Sequence, residues 1–352
     1  MDRTLLLPCA GRSTRYPGVR PKWMLTLPEG GLALSRAAAS VPRGAYGRIV
    51  AAVRAEHDEL YGAADLLKRT FGEIDVVVFD RDTNGPADTV AQMIRKARIG
   101  GAIAIKDADS FFDAGPLPSS SFVALSDVRR SPEMSNVGGK SFAVVNENGL
   151  VVEMIEKSLA SNYVSVGLYG FEDAGAFLDT FGAVAAANEG GEIFVSQVMN
   201  RAIAGGEVIL PHFVSNFIDV GTLPDWRRYV RARGSVLADL DGVVFQNHSA
   251  HFPPFWDEAD IAIEENVAVL KSWQDQGAQL IFVTARPEAY RAKTEQALRH
   301  LGLNPHALVM NCNHGRRFLV NDHAASNPYP SAVAISIERN SAKLSDYLKD
   351  WQ

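Results

Sequence analysis

Residues 5–25, LLLPCAGRSTRYPGVRPKWML, run three leucines into Pro8 and then into a turn of small residues, Ala10-Gly11-Arg12-Ser13-Thr14-Arg15, with Pro21-Lys22 following. The apolar run reads as a buried first strand, and the turn as the loop that leaves its carboxyl end. That loop is shaped for an anion. Gly11 and Ser13 keep side chains small so that backbone N–H groups can converge, while Arg15 and Lys22 bring full positive charges. The Gly-Lys-Ser/Thr ending of a Walker A loop is missing, so the phosphate loop belongs to another type.

After this loop, β-rich runs alternate with helical patterns, the signature of βαβ units on a mostly parallel sheet. The spacing predicts a helix over Leu32–Val41, a strand over Arg48–Val53, a single helix over His57–Thr70 and a strand over Ile74–Phe79. The turn Asn84-Gly85-Pro86-Ala87-Asp88 opens a helix over Thr89–Ala97. Ala102–Ile105 is a buried-type strand ending in Lys106-Asp107-Ala108-Asp109-Ser110-Phe111-Phe112. Ligands of open α/β sheets bind beyond the carboxyl ends of the strands, so acids there can reach phosphates held by the first loop. Mg²⁺ takes one or two carboxylates plus substrate phosphate. Asp109 is the first candidate and Asp107 the alternative. The middle of the chain is more antiparallel: Ser141–Val145 and Val151–Ile155 flank a hairpin turn at Asn146-Glu147-Asn148-Gly149. Glu156-Lys157 and a strand over Tyr163–Phe171 follow, then a helix over Gly191–Ile203 and a strand over Phe213–Val220 that carries Asp219.

These islands resemble the sugar nucleotidyltransferases. The resemblance rests on the opening loop with its Pro-Lys, the Gly-x-Ala-Asp-Thr-Val stretch from Gly85, Asp109-Ser-Phe-Phe, Glu156-Lys157, Tyr163–Phe171 and Asp219-Val-Gly-Thr, and it covers roughly residues 1–232. Ser13 stands where that family has a second glycine, Ser158 where it has proline, and Ser165 where it has asparagine. The resemblance implies a GT-A/Rossmann-like mixed sheet. It further implies Mg²⁺ on Asp109 and Asp219 and phosphate neutralisation by Arg15 and Lys22. Nucleotide and acceptor contacts are implied at Pro8, Ala10, Gly11, Ser13, Thr14, Gly85, Asp88, Glu156, Lys157 and Gly167, with an NTP and a phosphorylated sugar or polyol as substrates.

A second α/β unit begins after the basic segment Trp226–Arg233 and Gly234, giving expected domains 1–233 and 234–352. Ser235–Ala238 leads into Asp239-Leu240-Asp241-Gly242-Val243, Gln279–Val283 into Thr284-Ala285-Arg286-Pro287, and Arg317–Val320 into Asn321-Asp322-His323. This series resembles the haloacid dehalogenase-like phosphohydrolases and implies a small Rossmannoid. Asp239 would be the nucleophile, Asp241 the acid/base, and Thr284 the phosphoryl clamp. Asp239, Asp241 and Asp322 would form the Mg²⁺ site. Arg316 is the favoured phosphate-neutralising base, with Arg317 and Lys293 as alternatives. Some twenty residues separate Asp241 from the next helix, which leaves room for a minimal cap only; His248, His251 and Trp256 lie in that insert. Fusions of this kind resemble enzymes of capsular or surface polysaccharide synthesis.

Composition sets the outer limits. A chain of 352 residues suits two domains. Net charge is −6 with Lys and Arg scattered, which argues against a nucleic-acid partner. Cys9 and Cys312 are the only cysteines and form no ligand spacing, so a reduced cytoplasmic setting is expected. No apolar run suggests membrane insertion. A homo-oligomer is neither required nor excluded. The rival class is a nucleotide-sugar-binding or regulatory protein with one degenerate domain.

Overall fold

A computed structural model describes residues 3–130, 137–159, 161–248, 256, 259–322 and 332–348. The chain divides into two compact units, residues 1–226 and 227–352, ahead of the 233/234 boundary expected from sequence.

Unit 1 is built on strands β1 (Thr4–Pro8), β2 (Arg48–Arg54), β3 (Asp75–Phe79), β4 (Ile103–Lys106), β5 (Ser110–Asp113), β6 (Phe122–Asp127), β7 (Ser141–Val145), β8 (Val151–Glu156), β9 (Tyr163–Phe171), β10 (Leu210–Phe213) and β11 (Ser215–Asp219). Its helices are α1 (Ala33–Ala39), α2 (Ala55–Tyr61), α3 (Ala63–Phe71), α4 (Pro86–Lys96), α5 (Ala174–Ala187) and α6 (Val195–Ala204). The main sheet runs β10-β6-β9-β4-β1-β2-β3, with β7 and β8 joined to it through β9. β4, β1, β2 and β3 are parallel, while β9 is antiparallel to both β4 and β6. The sheet is therefore mixed, as read from the sequence.

The leucine run explains why β1 lies in the middle. Leu6 packs into one apolar cluster, with Val50, Ile103 and Val90, while Leu5 and Leu7 pack into another, with Leu34, Ile49 and Leu67. Successive residues of a strand point to opposite faces, so a run buried throughout needs cover on both. Each such leucine contributes about 1.5–3 kcal/mol through burial.

Three expectations are corrected. The helix over His57–Thr70 is two helices, because Gly62 adopts φ +60 between them and its N–H closes α2 on Asp58 O at 2.8 Å; that left-handed residue ends a helix as a C′ glycine does. The strand over Phe213–Val220 is split: β10 pairs parallel with β6, whereas β11 pairs antiparallel with β5, with a register shift beside Asn216 at φ +54. Arg317–Val320 forms no strand, and Phe318 and Val320 are 81% and 90% exposed.

Unit 2 carries a three-stranded parallel sheet ordered β12 (Ser235–Asp239), β13 (Gln279–Val283), β14 (Ala307–Val309). Numbering the helices onward, α7 (Leu223–Arg231) precedes β12, α8 (Glu264–Asp275) and α9 (Arg291–His300) form the two crossovers, and α10 (Leu344–Leu348) closes the unit. Its own core gathers Leu240, Phe245, Leu270, Phe282, Leu298 and Leu344. Among the described residues no helix is long and apolar enough to cross a membrane.

Candidate active site

The loop after β1 is fastened at both ends. Cys9 N–H donates to Ala52 O at 3.0 Å, and Tyr16 N–H to Ser13 O at 2.8 Å. Ser13 sits at φ +52, a conformation that favours glycine, which accounts for a glycine at the corresponding place of the family motif. Its hydroxyl oxygen accepts from Lys22 N–H at 3.3 Å and so ties the loop to the short 3₁₀ turn Lys22–Met24. Ala10 is buried; Gly11, Thr14 and Arg15 are exposed. Tyr16, 2% exposed, donates its hydroxyl toward Val220 O and Thr222 O. Burial and the nearby Asp109, Asp225 and Asp219 push its phenol well above the usual range, which keeps it a donor.

The two acids expected to share a cation come together on one ribbon. Asp219 ends β11 opposite Ser110, and Val220 N–H donates to Asp109 O at 2.9 Å. A side chain at Gly221 would meet Asp219 Oδ1 at 3.0 Å, Asp109 Oδ2 at 3.3 Å and Lys140 Nζ at 3.5 Å. Both carboxylates thus converge on a point kept clear by a glycine. Lys22 Nζ binds Asp109 Oδ2, Arg15 Nη2 lies 3.6 Å from the same oxygen, and Lys140 Nζ lies 2.7 Å from Asp219 Oδ2. Burial pushes the Asp109 carboxyl up, but Lys22, Lys140 and Arg15 outweigh it and hold the group well below the carboxylate range. Asp219 is raised, chiefly by burial and then by the charge of Asp109, against the opposing pull of Lys140. Two hard carboxylates at one clear point fit a Mg²⁺ ion whose shell is completed by phosphate and water. Among the described residues no set of three acid, His or Cys side chains is arranged to hold a metal.

Asp107 stands apart from this pair, beside Gly167, and is raised by burial and by Asp109. Lys106, 0% exposed, donates to Asp107 O at 2.6 Å, Ser110 O at 2.9 Å and Ser110 Oγ at 2.8 Å. All three ammonium protons therefore brace the turn that carries both aspartates. Burial lowers its pKa to about 8, with Asp107 and Asp109 pulling the other way. Lys140, Lys106 and Tyr16 were missed as site residues in the sequence. Only Lys106 left a signal there, a lysine at the end of an apolar run where its charge must find partners.

The remaining candidates of unit 1 are placed as follows. Glu156 Oε2 accepts from Ser141 Oγ at 2.5 Å and Ser196 Oγ at 2.7 Å. Lys157, at φ +53, donates its N–H to Lys140 O at 2.9 Å and lays its ammonium over Phe194. Gly85 has a structural reason to be glycine: at φ +99 its Cβ would lie 2.6 Å from Ile193 N. Asp88 accepts from Asn84 N–H at 2.8 Å and steadies the same turn.

In unit 2, Asp239 ends β12 and is paired with Arg317 Nη1 at 2.5 Å; the neighbouring Arg316 is exposed. Asp241 is held by Arg286, with Nη2–Oδ1 at 2.7 Å and Nε–Oδ2 at 3.0 Å, and the same guanidinium reaches Asp260 at 2.7 Å. Thr284, fully buried, lies 3.5 Å from Asp241 Oδ2 through its hydroxyl. Asp322 is exposed and is not joined with Asp239 and Asp241 into a metal-holding set. Lys293 donates to Trp256 O at 2.5 Å. His248 and Trp256 line a cavity of about 10 Å³ together with Asp241 and Arg286, room for about one water. His251 and His323 lie outside the described residues.

No protein-family model and no curated protein matches the chain. Solved structures do. A nucleoside-diphosphate-sugar pyrophosphorylase from Vibrio cholerae RC9 is similar with a TM-score of 0.55 and 20% identity, over 64% of this chain and 99% of that one. The inositol-1-phosphate CTP transferase from T. maritima is similar with a TM-score of 0.53 and 16% identity, over 64% of this chain and 91% of that one. A UDP-glucose pyrophosphorylase complexed with UDP-glucose gives 0.52 and 16%, over 66% and 98%. These structures share with the chain a mixed α/β fold, over 64–66% of its length.

Proposed function

We propose that unit 1 transfers a nucleotidyl group from an NTP to a phosphorylated sugar or polyol and releases pyrophosphate. The observation that carries this is the convergence of Asp109 and Asp219 beside Lys22, Arg15 and Lys140, beyond the strand ends of a fold shared with nucleotidyltransferases. An acceptor phosphate oxygen attacks the α-phosphorus, and the bond from that phosphorus to the bridging oxygen breaks, so that the electron pair leaves on pyrophosphate. Arg15 and Lys22 neutralise the charge that grows on the leaving phosphates, and Lys106 holds the aspartate turn still while they do so. Mg²⁺ held by Asp109 and Asp219 supplies further charge stabilisation at the phosphates. The products are activated precursors of the kind from which surface polysaccharides are built.

The test is pyrophosphate release from a panel of NTPs with mixed sugar and polyol phosphates and Mg²⁺. Release with at least one pair is expected, and silence across the panel overturns the proposal. Lys22→Ala is expected to lower kcat by more than it raises the KM for NTP, because the lysine acts on charge that develops during transfer. Equal losses in both would reduce Lys22 to a ground-state contact.

Unit 2 is read as a phosphomonoesterase in which Asp239 attacks phosphorus and Asp241 serves the leaving oxygen. What supports this is the placement of Asp239, Asp241 and Thr284 at one end of a parallel sheet. A second reading, a binding unit without turnover, is favoured by the arginines on both motif acids and by the lack, among the described residues, of a metal-holding set that joins Asp322 to them. Hydrolysis of small phosphate monoesters by the full chain separates them. On the first reading Asp239→Asn abolishes hydrolysis and leaves pyrophosphate release intact; absence of hydrolysis in the unaltered protein supports the second.

A further inference from the structure

Three acids face the site of unit 1, and they are not equivalent. Asp109 and Asp219 are each taken by a lysine. Among the described residues no group hydrogen-bonds to the carboxylate of Asp107, which nevertheless keeps some exposure. Its backbone is fixed, because its N–H donates to Gly167 O at 2.8 Å and its carbonyl accepts from Lys106. Gly167 lies in a bulge of β9, where pairing with β6 slips between Val123 and Leu125, and has φ +76. A Cβ on that glycine would come within 2.6 Å of Asp107 Oδ2 and 2.8 Å of Asp107 Cβ. The bulge and the glycine together clear the volume that the carboxylate fills. Beside it on β9, Ser165 Oγ donates to Tyr169 Oη at 3.0 Å. That bond uses the tyrosine oxygen as acceptor and leaves its own proton for another group.

We infer that Asp107 is the acceptor-reading carboxylate of unit 1, accepting hydrogen bonds from hydroxyls on neighbouring carbons of a polyhydroxylated acceptor, and is not a metal ligand. The inference rests on the proposed nucleotidyl transfer. A planar carboxylate offers two oxygens to two adjacent hydroxyls, and Tyr169 supplies a donor to the oxygen of a third. A partly buried carboxylate with no internal partner gains more from such a ligand than one already paired. The class this selects is a sugar or polyol phosphate, since an acceptor without hydroxyls would leave Asp107 buried and unsatisfied.

The experiment measures steady-state pyrophosphate release by wild type and Asp107→Asn, using the best NTP with glucose 1-phosphate, mannose 1-phosphate, glycerol 3-phosphate and phosphocholine. Asp107→Asn is expected to raise the acceptor KM about 10- to 100-fold, with the KM for NTP and the half-saturating Mg²⁺ within twofold of wild type. A deoxy analogue of the preferred acceptor is expected to lose affinity with wild type and to lose little more with the variant. A comparable shift in NTP or Mg²⁺ dependence makes Asp107 a ligand of the metal and overturns the inference, as does an unchanged acceptor KM. Phosphocholine as the preferred acceptor overturns it as well, because the carboxylate then answers a cation. If wild type transfers from no NTP, the proposed function fails by itself. Calorimetric titration with the same sugar phosphates then decides the role of Asp107, and no wild-type binding counts against it.

Discussion

On the proposed function, Asp109→Asn and Asp219→Asn are each expected to lower pyrophosphate release by at least about a hundredfold, since both carboxylates border the point where the proposed cation would sit and loss even of an outer partner of a metal site costs 10–100-fold. The two variants part company in stability. The folded state favours the ionised form of Asp109, because Lys22, Lys140 and Arg15 overcome its burial. Its depressed pKa means that it stabilises the fold above its unfolded pKa and loses that contribution as pH falls. Asn at this position removes the contribution and leaves Lys22, whose side chain is 24% exposed, without its anion. Asp219 is raised by burial and by the charge of Asp109, so the fold penalises its ionised form at neutral pH, and the neutral Asn relieves that penalty. Thermal melting at pH 7 without added metal therefore shows Asp109→Asn below wild type and Asp219→Asn level with it or above. Should both melt lower by the same margin, the charge balance described for the pair is wrong. Should either keep wild-type turnover, that residue does not hold the cation.

What the sequence made legible in unit 1 is what local chemistry dictates. Leu5–Leu7 had to be covered on both faces, and Asp107 and Asp109 had to follow the carboxyl end of a buried strand; both hold in the fold. The serine at position 13, where the resembling motif has glycine, was also in view, but that its backbone takes positive φ is known only from the fold. The missed residues have no local signature. Lys140 meets Asp219 only because a 3₁₀ turn before β7 and the end of β11 are neighbours in space, and Tyr16 matters through carbonyls some two hundred positions away. The failed strand at Arg317–Val320 teaches the same point from the other side. An apolar run supplies the propensity to extend, but a strand exists only where a partner edge presents its N–H and C=O groups. The Arg286 motif lay in view as Thr284-Ala285-Arg286-Pro287, yet the two carboxylates that claim its guanidinium are set by tertiary contacts alone.

Replacement of Arg286 gives the largest stability loss expected in unit 2. The guanidinium is 2% exposed, with Asp241 and Asp260 side chains at 18% and 11%. It lies over the Phe245 ring and donates further to Thr294 Oγ1 at 3.3 Å. One fork thus binds two carboxylates, the turn after β12 and helix α9. Arg286→Met keeps much of the volume but leaves two acids in a poorly solvated place with no cation, and removal of one member of a buried ionic cluster costs about 3–5 kcal/mol. Arg286→Lys recovers only part of this, because a single ammonium cannot fork to both acids. Adding Asp241→Asn and Asp260→Asn to Arg286→Met recovers more than lysine does, since the uncompensated charges are then gone. Urea unfolding of the full chain followed by tryptophan fluorescence reads this as a shift of one transition, with Trp273 packed against the unit 2 core as the reporter. A shift of less than about 1 kcal/mol for Arg286→Met, the size of an exposed pair, would mean that the cluster is solvated. The recovery in the triple variant is the decisive part. A purely packing role for the arginine predicts no gain from neutralising its acids, whereas a charge-compensating role requires one.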